Sequence, residues 1–161
     1  MLLTSDLSRA ADTAAPLGRA LGLAPVVDAR LRELHLGAWQ GLTGQEARER
    51  FPDEHAAWRA GDDVPRGGGE TYLQAGERAA ACVLEHLPGA GTLVAVTHGG
   101  TARAALGVLL ELPQSTWVRL APLGNACWSV LVEGDVGWRL ERHSVGVDLG
   151  PPAQGADDRP L

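Results

Sequence analysis

The sequence predicts an α/β fold in which helices cover a mostly parallel sheet. Short apolar runs of strand length alternate with helical patterns along the chain, which is the order typical of such folds. The segment Thr92–Thr97 carries a continuous apolar run bounded by Gly91 and Gly99, as expected for an interior parallel strand. The chain has 161 residues, 45% of them hydrophobic, which suits one compact domain with its own core.

The N-terminal segment predicts a strand followed by an amphipathic helix. Leu2–Thr4 resembles the end of a strand, Ser5 or Asp6 is suited to cap the next helix, and Gly22 is suited to end it. Pro16 lies inside this pattern, where a kink is expected. The apolar face of the predicted helix consists of Leu7, Ala10, Ala11, Ala14, Leu17 and Leu21.

The next segment predicts one short extended piece and two short helices. Pro25–Val27 is the extended piece. Thr43 and Glu46 have the spacing of a capping box, which predicts a helix that ends near Phe51. Another short helix is expected over Asp53–Trp58.

The C-terminal half predicts a loop, two helices and a hairpin. Gly61–Gly69 is rich in Gly, Asp, Pro and Arg, as loops are. Helices are expected over Glu70–Leu87 and Thr101–Leu110, and antiparallel strands over Ala126–Val132 and Trp138–His143. The predicted apolar face of the first of these helices consists of Leu73, Ala80, Val83, Leu84 and Leu87. We expect one domain over residues 1–149 and a disordered tail over residues 150–161.

The composition excludes several classes of function. All 14 cationic residues are arginine, so phosphate-loop lysines and Schiff-base chemistry are excluded. The formal charge of −6 disfavours nucleic acid and anionic membranes as partners. The sequence shows no run of membrane-span length and no signal peptide, which predicts a cytoplasmic location. Abundant Ala, Gly, Arg and Pro together with the absence of Ile suggest a bacterial source.

Cysteine and histidine spacings give no metal-binding motif. Cys82 and Cys127 form no Cys-x-x-Cys pair and are predicted to be buried thiols of a reducing compartment. The chain also contains no Gly-x-Ser-x-Gly or Gly-x-Gly-x-x-Gly motif. We therefore expect neither a metal nor another cofactor.

Three side chains are candidates for an anion site at the carboxyl ends of the strands. His98 ends a predicted strand, and Gly99 after it would let a ligand approach a helix N-terminus with free N–H groups. Arg9 lies in the first turn of the helix after Leu2–Thr4, and Glu33 precedes a loop that contains glycine. Each also has an ordinary interpretation: a structural histidine, a solvated arginine and a surface carboxylate.

Four blocks of the sequence, in this order, resemble the histidine phosphatase (phosphoglycerate mutase-like) superfamily. The blocks are Ser5–Ala10, Leu31–Gly41, Gly68–Thr71 and Val96–Gly100, and the similarity continues through the hairpin after Asn125. The resemblance implies a three-layer α/β/α sandwich with a mostly parallel sheet. It also implies hydrolysis of phosphomonoesters through a phosphohistidine without a cofactor.

The resemblance assigns roles to individual residues. Arg9 would bind phosphate, and His98 would bind the phosphoryl group beside the nucleophile. Gly99 is counted with the substrate-binding residues because glycine there lets a ligand approach the backbone. Glu33 would protonate the leaving oxygen. Glu70 matches the acidic residue of the family's Gly-Gly-Glu-Ser segment, without an assigned role.

The family's nucleophilic histidine is absent from the sequence. It lies in an Arg-His-Gly motif on the first strand of the fold, upstream of the block that begins here at Leu2. None of His35, His55, His86 and His143 follows a predicted strand and precedes a glycine. We therefore expect the chain as given to be inactive and less stable than the intact domain.

Three alternatives to hydrolysis by the intact domain stay open. The chain is a pseudoenzyme that binds a phosphate ligand, a truncated fragment, or part of a phosphoglycerate mutase-type phosphoryl transferase. A phosphatase is preferred to a mutase because only Leu42–Gly68 separates the glutamate loop from the Gly-Gly-Glu block, which leaves little chain for a lid. The expected partner is a small phosphorylated metabolite, and a homo-oligomer is left open.

Overall fold

The computed structural model describes residues 1–146, which form an α/β fold with a parallel sheet and covering helices, as predicted. The helices are α1 (Ser8–Leu21), α2 (Gly44–Arg50), α3 (Pro52–Ala60), α4 (Tyr72–His86) and α5 (Gly99–Leu109). The strands are β1 (Leu2–Thr4), β2 (Val26–Val27), β3 (Val94–Val96), β4 (Trp128–Gly134) and β5 (Gly137–Val145). The tail predicted over residues 150–161 lies outside the described residues.

The parallel sheet has the order β2-β1-β3, with Leu3 paired to Val26 on one side and to Ala95 on the other. β1 is therefore the central strand, and all three of its residues are buried. The sequence predicted an interior strand at Thr92–Thr97. Within residues 1–146, however, β3 pairs only with β1, and its three residues are half-buried. The other sheet is the antiparallel hairpin of β4 and β5.

Helices pack on both faces of the parallel sheet. Leu3 is fully buried in a cluster with Leu31 and with Ala79 and Cys82 of α4. The opposite face is covered by α1, which buries Ala10 and Ala14. Because successive side chains of a strand point to opposite faces, three residues of β1 are enough to join the two layers.

The buried face of α4 differs from the predicted one. Leu73 and Leu84 are 39% and 47% exposed, whereas the buried residues are Ala75, Gly76, Ala79, Ala80 and Cys82. Small residues occupy this face because α5 lies very close: a Cβ atom at Gly76 would be 2.7 Å from the carbonyl oxygen of Ala104. Hydrophobicity alone pointed to the leucines, but the close helix contact requires small side chains.

Helix ends follow the sequence signals in part. The prediction that Ser5 or Asp6 caps α1 is wrong: the residue before the helix is Leu7, which makes no side-chain cap, and the Ser5 hydroxyl accepts from the backbone N–H of Leu7 at 3.3 Å. Gly22 ends α1 in the left-handed conformation, and the helix runs from Ser8 to Leu21 through Pro16. The predicted capping box of Thr43 and Glu46 is present at the start of α2. A second capping box, of Thr71 and Gln74, begins α4, so Glu70 lies just outside that helix. None of the helices within residues 1–146 is long and apolar enough to cross a membrane.

Candidate active site

Arg9 and His98 are in direct contact at the carboxyl end of the parallel sheet. Arg9 Nε donates to His98 Nδ1 at 3.1 Å, and His98 Nε2 lies 2.9 Å from the hydroxyl of Ser5. Ser5 is fixed by its backbone N–H, which donates to the carbonyl of Val96 at 3.0 Å. The contact arises because β1 and β3 are parallel neighbours, so the residues after them meet at one edge.

The environment of His98 favours a neutral imidazole. Only 8% of the residue is exposed, and this burial lowers the pKa of His98. Arg9 and Arg78 lower the pKa further, while Glu33 and Asp6 act in the opposite direction. Because Nδ1 accepts a hydrogen bond from Arg9, the ring proton is assigned to Nε2, which then donates to Ser5.

The guanidinium of Arg9 retains donors for a ligand. Arg9 is exposed on the first turn of α1, and its contact with His98 uses only Nε. Within residues 1–146 the two terminal nitrogens of Arg9 make no hydrogen bond to protein. An arginine with two unused, parallel donors suits the oxygens of a phosphate group.

The carboxylate of Glu33 caps the N-terminus of α5. It accepts hydrogen bonds from the backbone N–H groups of Thr101 at 2.9 Å and of Gly100 at 3.3 Å, and from the Thr101 hydroxyl at 3.1 Å. The sequence had predicted free N–H groups here, but Glu33 occupies two of them. A Cβ atom at position 100 would lie 2.9 Å from Glu33 Oε1, so glycine allows this approach. A Cβ atom at Gly99 would meet only the carbonyl oxygen of Leu123, at an ordinary contact distance of 3.5 Å.

Glu70 and Arg78 form a clamp on the segment that carries Glu33. The carboxylate of Glu70 accepts from Arg78 Nε at 3.1 Å and from Nη2 at 2.9 Å. Arg78 also donates to the backbone carbonyls of Arg30, Arg32 (2.9 Å) and Glu33 (3.2 Å). Sequence reasoning missed Arg78. The spacing carried no signal for this pair, because Glu70 lies before the first residue of α4.

An exposed ion pair connects the loop that leads to Arg9 with the segment that carries Glu33. Arg32 Nε donates to Asp6 Oδ1 at 2.7 Å, and the second guanidinium nitrogen pairs with Oδ2. Asp6 follows Ser5, and Arg32 precedes Glu33, so the pair joins the loop after β1 to the glutamate segment. The Arg32 guanidinium also lowers the pKa of Asp6.

The other four histidines lie in different surroundings. His55 stacks on the ring of Trp39, His86 Nδ1 lies 2.9 Å from the carbonyl of Cys82, and His143 lies between Ser129 and the carbonyl of Ala121. His35 is exposed. Within residues 1–146, then, His98 is the histidine that contacts Arg9.

Asp28, Cys82 and His86 form a cluster that the sequence spacing did not indicate. Arg30 binds both oxygens of Asp28 and holds the pKa of that carboxyl far below its usual range. Burial raises the pKa of the Cys82 thiol to about 12. A carboxylate already paired and a thiol that keeps its proton are poor metal ligands, because thiolate is the binding form. The cluster is best interpreted as a structural contact below the sheet.

The sequence matches the histidine phosphatase superfamily (branch 1) over residues 1–146. A curated relative is the glucosyl-3-phosphoglycerate phosphatase of Mycobacterium tuberculosis, which is 39% identical over 141 residues. That match covers 81% of this chain and 63% of the relative. The protein of the same name from Mycolicibacterium vanbaalenii is 37% identical over 161 residues, with 88% of this chain and 72% of the relative covered.

Solved structures of mycobacterial proteins share the fold. A mycobacterial glucosyl-3-phosphoglycerate phosphatase in complex with inorganic phosphate matches with a TM-score of 0.83 and 35% identity. The match covers 93% of this chain and 79% of that protein. This structural match extends the similarity beyond the four sequence blocks to 93% of the chain.

Proposed function

The chain belongs to the histidine phosphatase superfamily, and we propose that its intact domain hydrolyses small phosphate monoesters through a phosphohistidine. The observation that carries this proposal is the contact of Arg9 with His98 beside the carboxylate of Glu33. These groups supply phosphate recognition and a proton donor at one edge of the sheet.

Each residue has a chemical task in this proposal. The nucleophilic imidazole attacks phosphorus, and the bond to the leaving oxygen breaks as Glu33 gives that oxygen a proton. Arg9 and His98 stabilise the charge on the transferred oxygens, and Gly99 leaves room beside them. Water then attacks the phosphohistidine and returns its proton to Glu33. The products are the alcohol and inorganic phosphate.

The substrate class proposed here is a phosphorylated sugar or sugar acid. The M. tuberculosis and Mycolicibacterium relatives are named for glucosyl-3-phosphoglycerate. Hydrolysis is preferred to mutase chemistry because the segment between Glu33 and Glu70 is occupied by α2, α3 and the Arg66 turn. Those elements leave little chain for a lid that would exclude water.

A second candidate function is phosphate binding without turnover by the 161-residue chain. It is favoured by the positions of the other histidines, none of which contacts Arg9 or Glu33 within residues 1–146. An anion could still bind to Arg9 and His98. It would meet no second imidazole from the described part of the chain.

The test compares the 161-residue chain with a completed domain. We define the completed domain as a chimera that carries the Arg-His-Gly strand and following helix of a mycobacterial relative ahead of Met1. The completed domain is expected to release phosphate from p-nitrophenyl phosphate and to form an acid-labile phosphoenzyme. The 161-residue chain is expected to bind phosphate and to do neither. Equal turnover by both proteins would show that the nucleophile is wrongly assigned.

The same pair of proteins tests the sheet. β3 has one edge without a strand partner in residues 1–146, and half-buried valines lie on it. Such an edge is prone to pair with another chain. The completed domain is expected to melt at a higher temperature and to aggregate less. Identical melting temperatures would contradict this part of the proposal.

A further inference from the structure

The hydroxyl of Ser5 is a buried hydrogen-bond partner of His98. Ser5 is fully buried after β1, and its Oγ lies 2.9 Å from His98 Nε2, while the other ring nitrogen, Nδ1, accepts from Arg9. The backbone N–H of Leu7 donates to the same hydroxyl oxygen at 3.3 Å. One lone pair of the hydroxyl is thus used, and its second lone pair and its proton both remain for the imidazole.

The position of this hydroxyl is fixed by β1 and β3. The backbone N–H of Ser5 donates to the carbonyl of Val96 at 3.0 Å, and the hydroxyl of Thr4 donates to the carbonyl of Ser5 at 3.1 Å. Thr4 and Val96 are paired residues of the parallel sheet, and the chain continues from Val96 through one residue to His98. The serine and the imidazole are therefore held by the same pair of strands.

A hydroxyl can bind either tautomer of a neutral imidazole, because it both donates and accepts hydrogen bonds. In the structure Nδ1 accepts from Arg9, so Nε2 carries the ring proton and donates to Ser5. A fully ionised anion reverses the requirement at Nδ1, because its oxygens only accept hydrogen bonds, and Nδ1 must then carry a proton. If Nδ1 gains a proton while Nε2 loses one, the ring stays neutral and Ser5 changes from acceptor to donor.

The surroundings of His98 favour a ring that stays neutral. Arg9 of α1 and Arg78 of α4 oppose a positive imidazole, whereas the carboxylates of Glu33 and Asp6 favour one. Two cations thus act against two anions, and the burial of the ring adds to the effect of the cations. An entering anion brings further negative charge, but the guanidinium of Arg9 binds that anion at the same place. A neutral ring with its proton on Nδ1 then needs a donor at Nε2, which Ser5 supplies.

We propose that Ser5 is a positioning residue that allows His98 to change tautomer when an anion binds. In the free site Nε2 carries the proton and donates to Ser5; with the anion bound, Nδ1 carries a proton and Ser5 donates to Nε2. Solvent receives the proton from Nε2 and supplies one to Nδ1, so the protein takes up none. The anion is bound by a neutral imidazole, which does not repel Arg9. This inference rests on the proposed function for the placement of phosphate at Arg9 and His98.

The first test follows the tautomer directly, with sulfate as the anion. Sulfate has the shape and charge of a phosphate dianion and stays fully ionised near neutral pH, so any proton uptake belongs to the protein. The nitrogen-15 resonances of His98 in the 161-residue chain distinguish the two neutral tautomers from the cation. We expect the Nε2–H form without sulfate, the Nδ1–H form with it, and no proton uptake when binding heats are compared in two buffers. A cationic ring in the complex, an unchanged tautomer or no sulfate binding would overturn the proposal.

Variants test whether Ser5 is responsible. Ser5→Ala removes the donor that favours the neutral ring in the complex, so the variant is expected to take up a proton with sulfate. Its affinity for sulfate should then fall by up to about tenfold for each pH unit between about 6.5 and 8, whereas that of the natural chain should change less than about twofold. Ser5→Thr, which keeps a hydroxyl, is expected to restore binding that does not depend on pH.

Thr4→Val is the matched control, because it removes a buried hydroxyl that bonds to the carbonyl of Ser5. It should leave the pH dependence of sulfate binding unchanged. The same pH dependence in folded Ser5→Ala as in the natural chain, or in Thr4→Val as in Ser5→Ala, would contradict the role of Ser5. The expected tautomer change combined with no hydrolysis by the completed domain would refute only the proposed function. Hydrolysis combined with a cationic His98 in the sulfate complex would refute only this inference.

Discussion

The two halves of the candidate site are held in place in different ways. Arg9 and His98 are joined by one side-chain hydrogen bond, and Arg9 is exposed to solvent. Glu33 is fixed by two backbone N–H groups of α5, while Arg78 and Glu70 hold the backbone beside it. The first half depends on side chains that are free to change partner, and the second half depends on the scaffold.

This difference indicates which contacts a ligand replaces. A phosphate group that enters the site can take the place of the Arg9–His98 hydrogen bond, since Arg9 then donates to its oxygens and Nδ1 of His98, once it has taken up a proton, does the same. The contacts of Glu33 are part of the helix cap and persist. Substitutions in the two halves should therefore produce different patterns of loss.

The largest effect is expected from the half that Arg9 and His98 form. In the completed domain, Arg9→Ala and His98→Ala should each lower kcat/KM about 100-fold or more on every phosphate ester, because each removes a donor to the transferred oxygens. The measurement is steady-state hydrolysis of p-nitrophenyl phosphate and glycerol 3-phosphate. Arg19→Ala, at the other end of α1, is the control. Near-normal turnover by either variant would remove that residue from the site.

Glu33→Gln should lower the hydrolysis of an ester by an amount that depends on its leaving group, unlike substitutions at Arg9 and His98. The amide has nearly the same shape but gives up no proton, so hydrolysis of glycerol 3-phosphate should fall about 100-fold. p-Nitrophenyl phosphate, whose leaving group needs no proton, should lose less than about tenfold. A loss of the same size on both esters would contradict the role of proton donor.

Glu70→Gln should also affect glycerol 3-phosphate more than p-nitrophenyl phosphate, with smaller losses than Glu33→Gln. The substitution weakens the pairing with Arg78, and the carbonyls around Glu33 are then held less firmly. We expect about a tenfold loss on glycerol 3-phosphate and no change on p-nitrophenyl phosphate. Glu77→Gln, an exposed neighbour on α4, is the control. Equal losses on the two esters would indicate a general effect on the fold.

The smallest expected effect is on the pH dependence of the free energy of unfolding. The folded pKa of His98 is lowered by burial, and the unfolded chain has the ordinary value of 6.5. As the pH falls below 6.5, the unfolded state therefore takes up a proton before the folded state does. The free energy of unfolding decreases over this range and stops decreasing once the pH is below the folded pKa of His98. Urea unfolding between pH 7.5 and 5 should show a flatter dependence for His98→Gln than for the natural sequence. An unchanged slope would mean that His98 is not desolvated.

Local signals predicted much of the fold. The capping box of Thr43 and Glu46 and the stop signal at Gly22 act within a few residues, so their effect can be predicted from sequence. The buried face of α4 could not be, because it is set by the close approach of α5 at Gly76. The predicted interior position of β3 rested on its apolar composition, and strand pairing depends on which neighbours are present.

The candidate site was predictable where a residue follows a strand. Arg9 and His98 occupy the ends of neighbouring parallel strands, so their meeting follows from topology. The contacts of Ser5 with His98 and of Arg78 with three carbonyls join distant segments, and no sequence spacing encodes them. The burial of Arg66 could not be predicted either, because it requires Trp58 and Tyr72 to come together in the fold.

The two thiols of the chain differ enough to report on local opening. Cys82 is fully buried with its pKa raised to about 12, whereas Cys127 is half-buried. An alkylating reagent reaches Cys82 only when α4 separates from the sheet, so its rate of labelling measures how often that separation occurs. Cys127 serves as an internal reference in the same molecule. The natural sequence thus contains a probe for the transient opening of α4, the helix that carries Arg78.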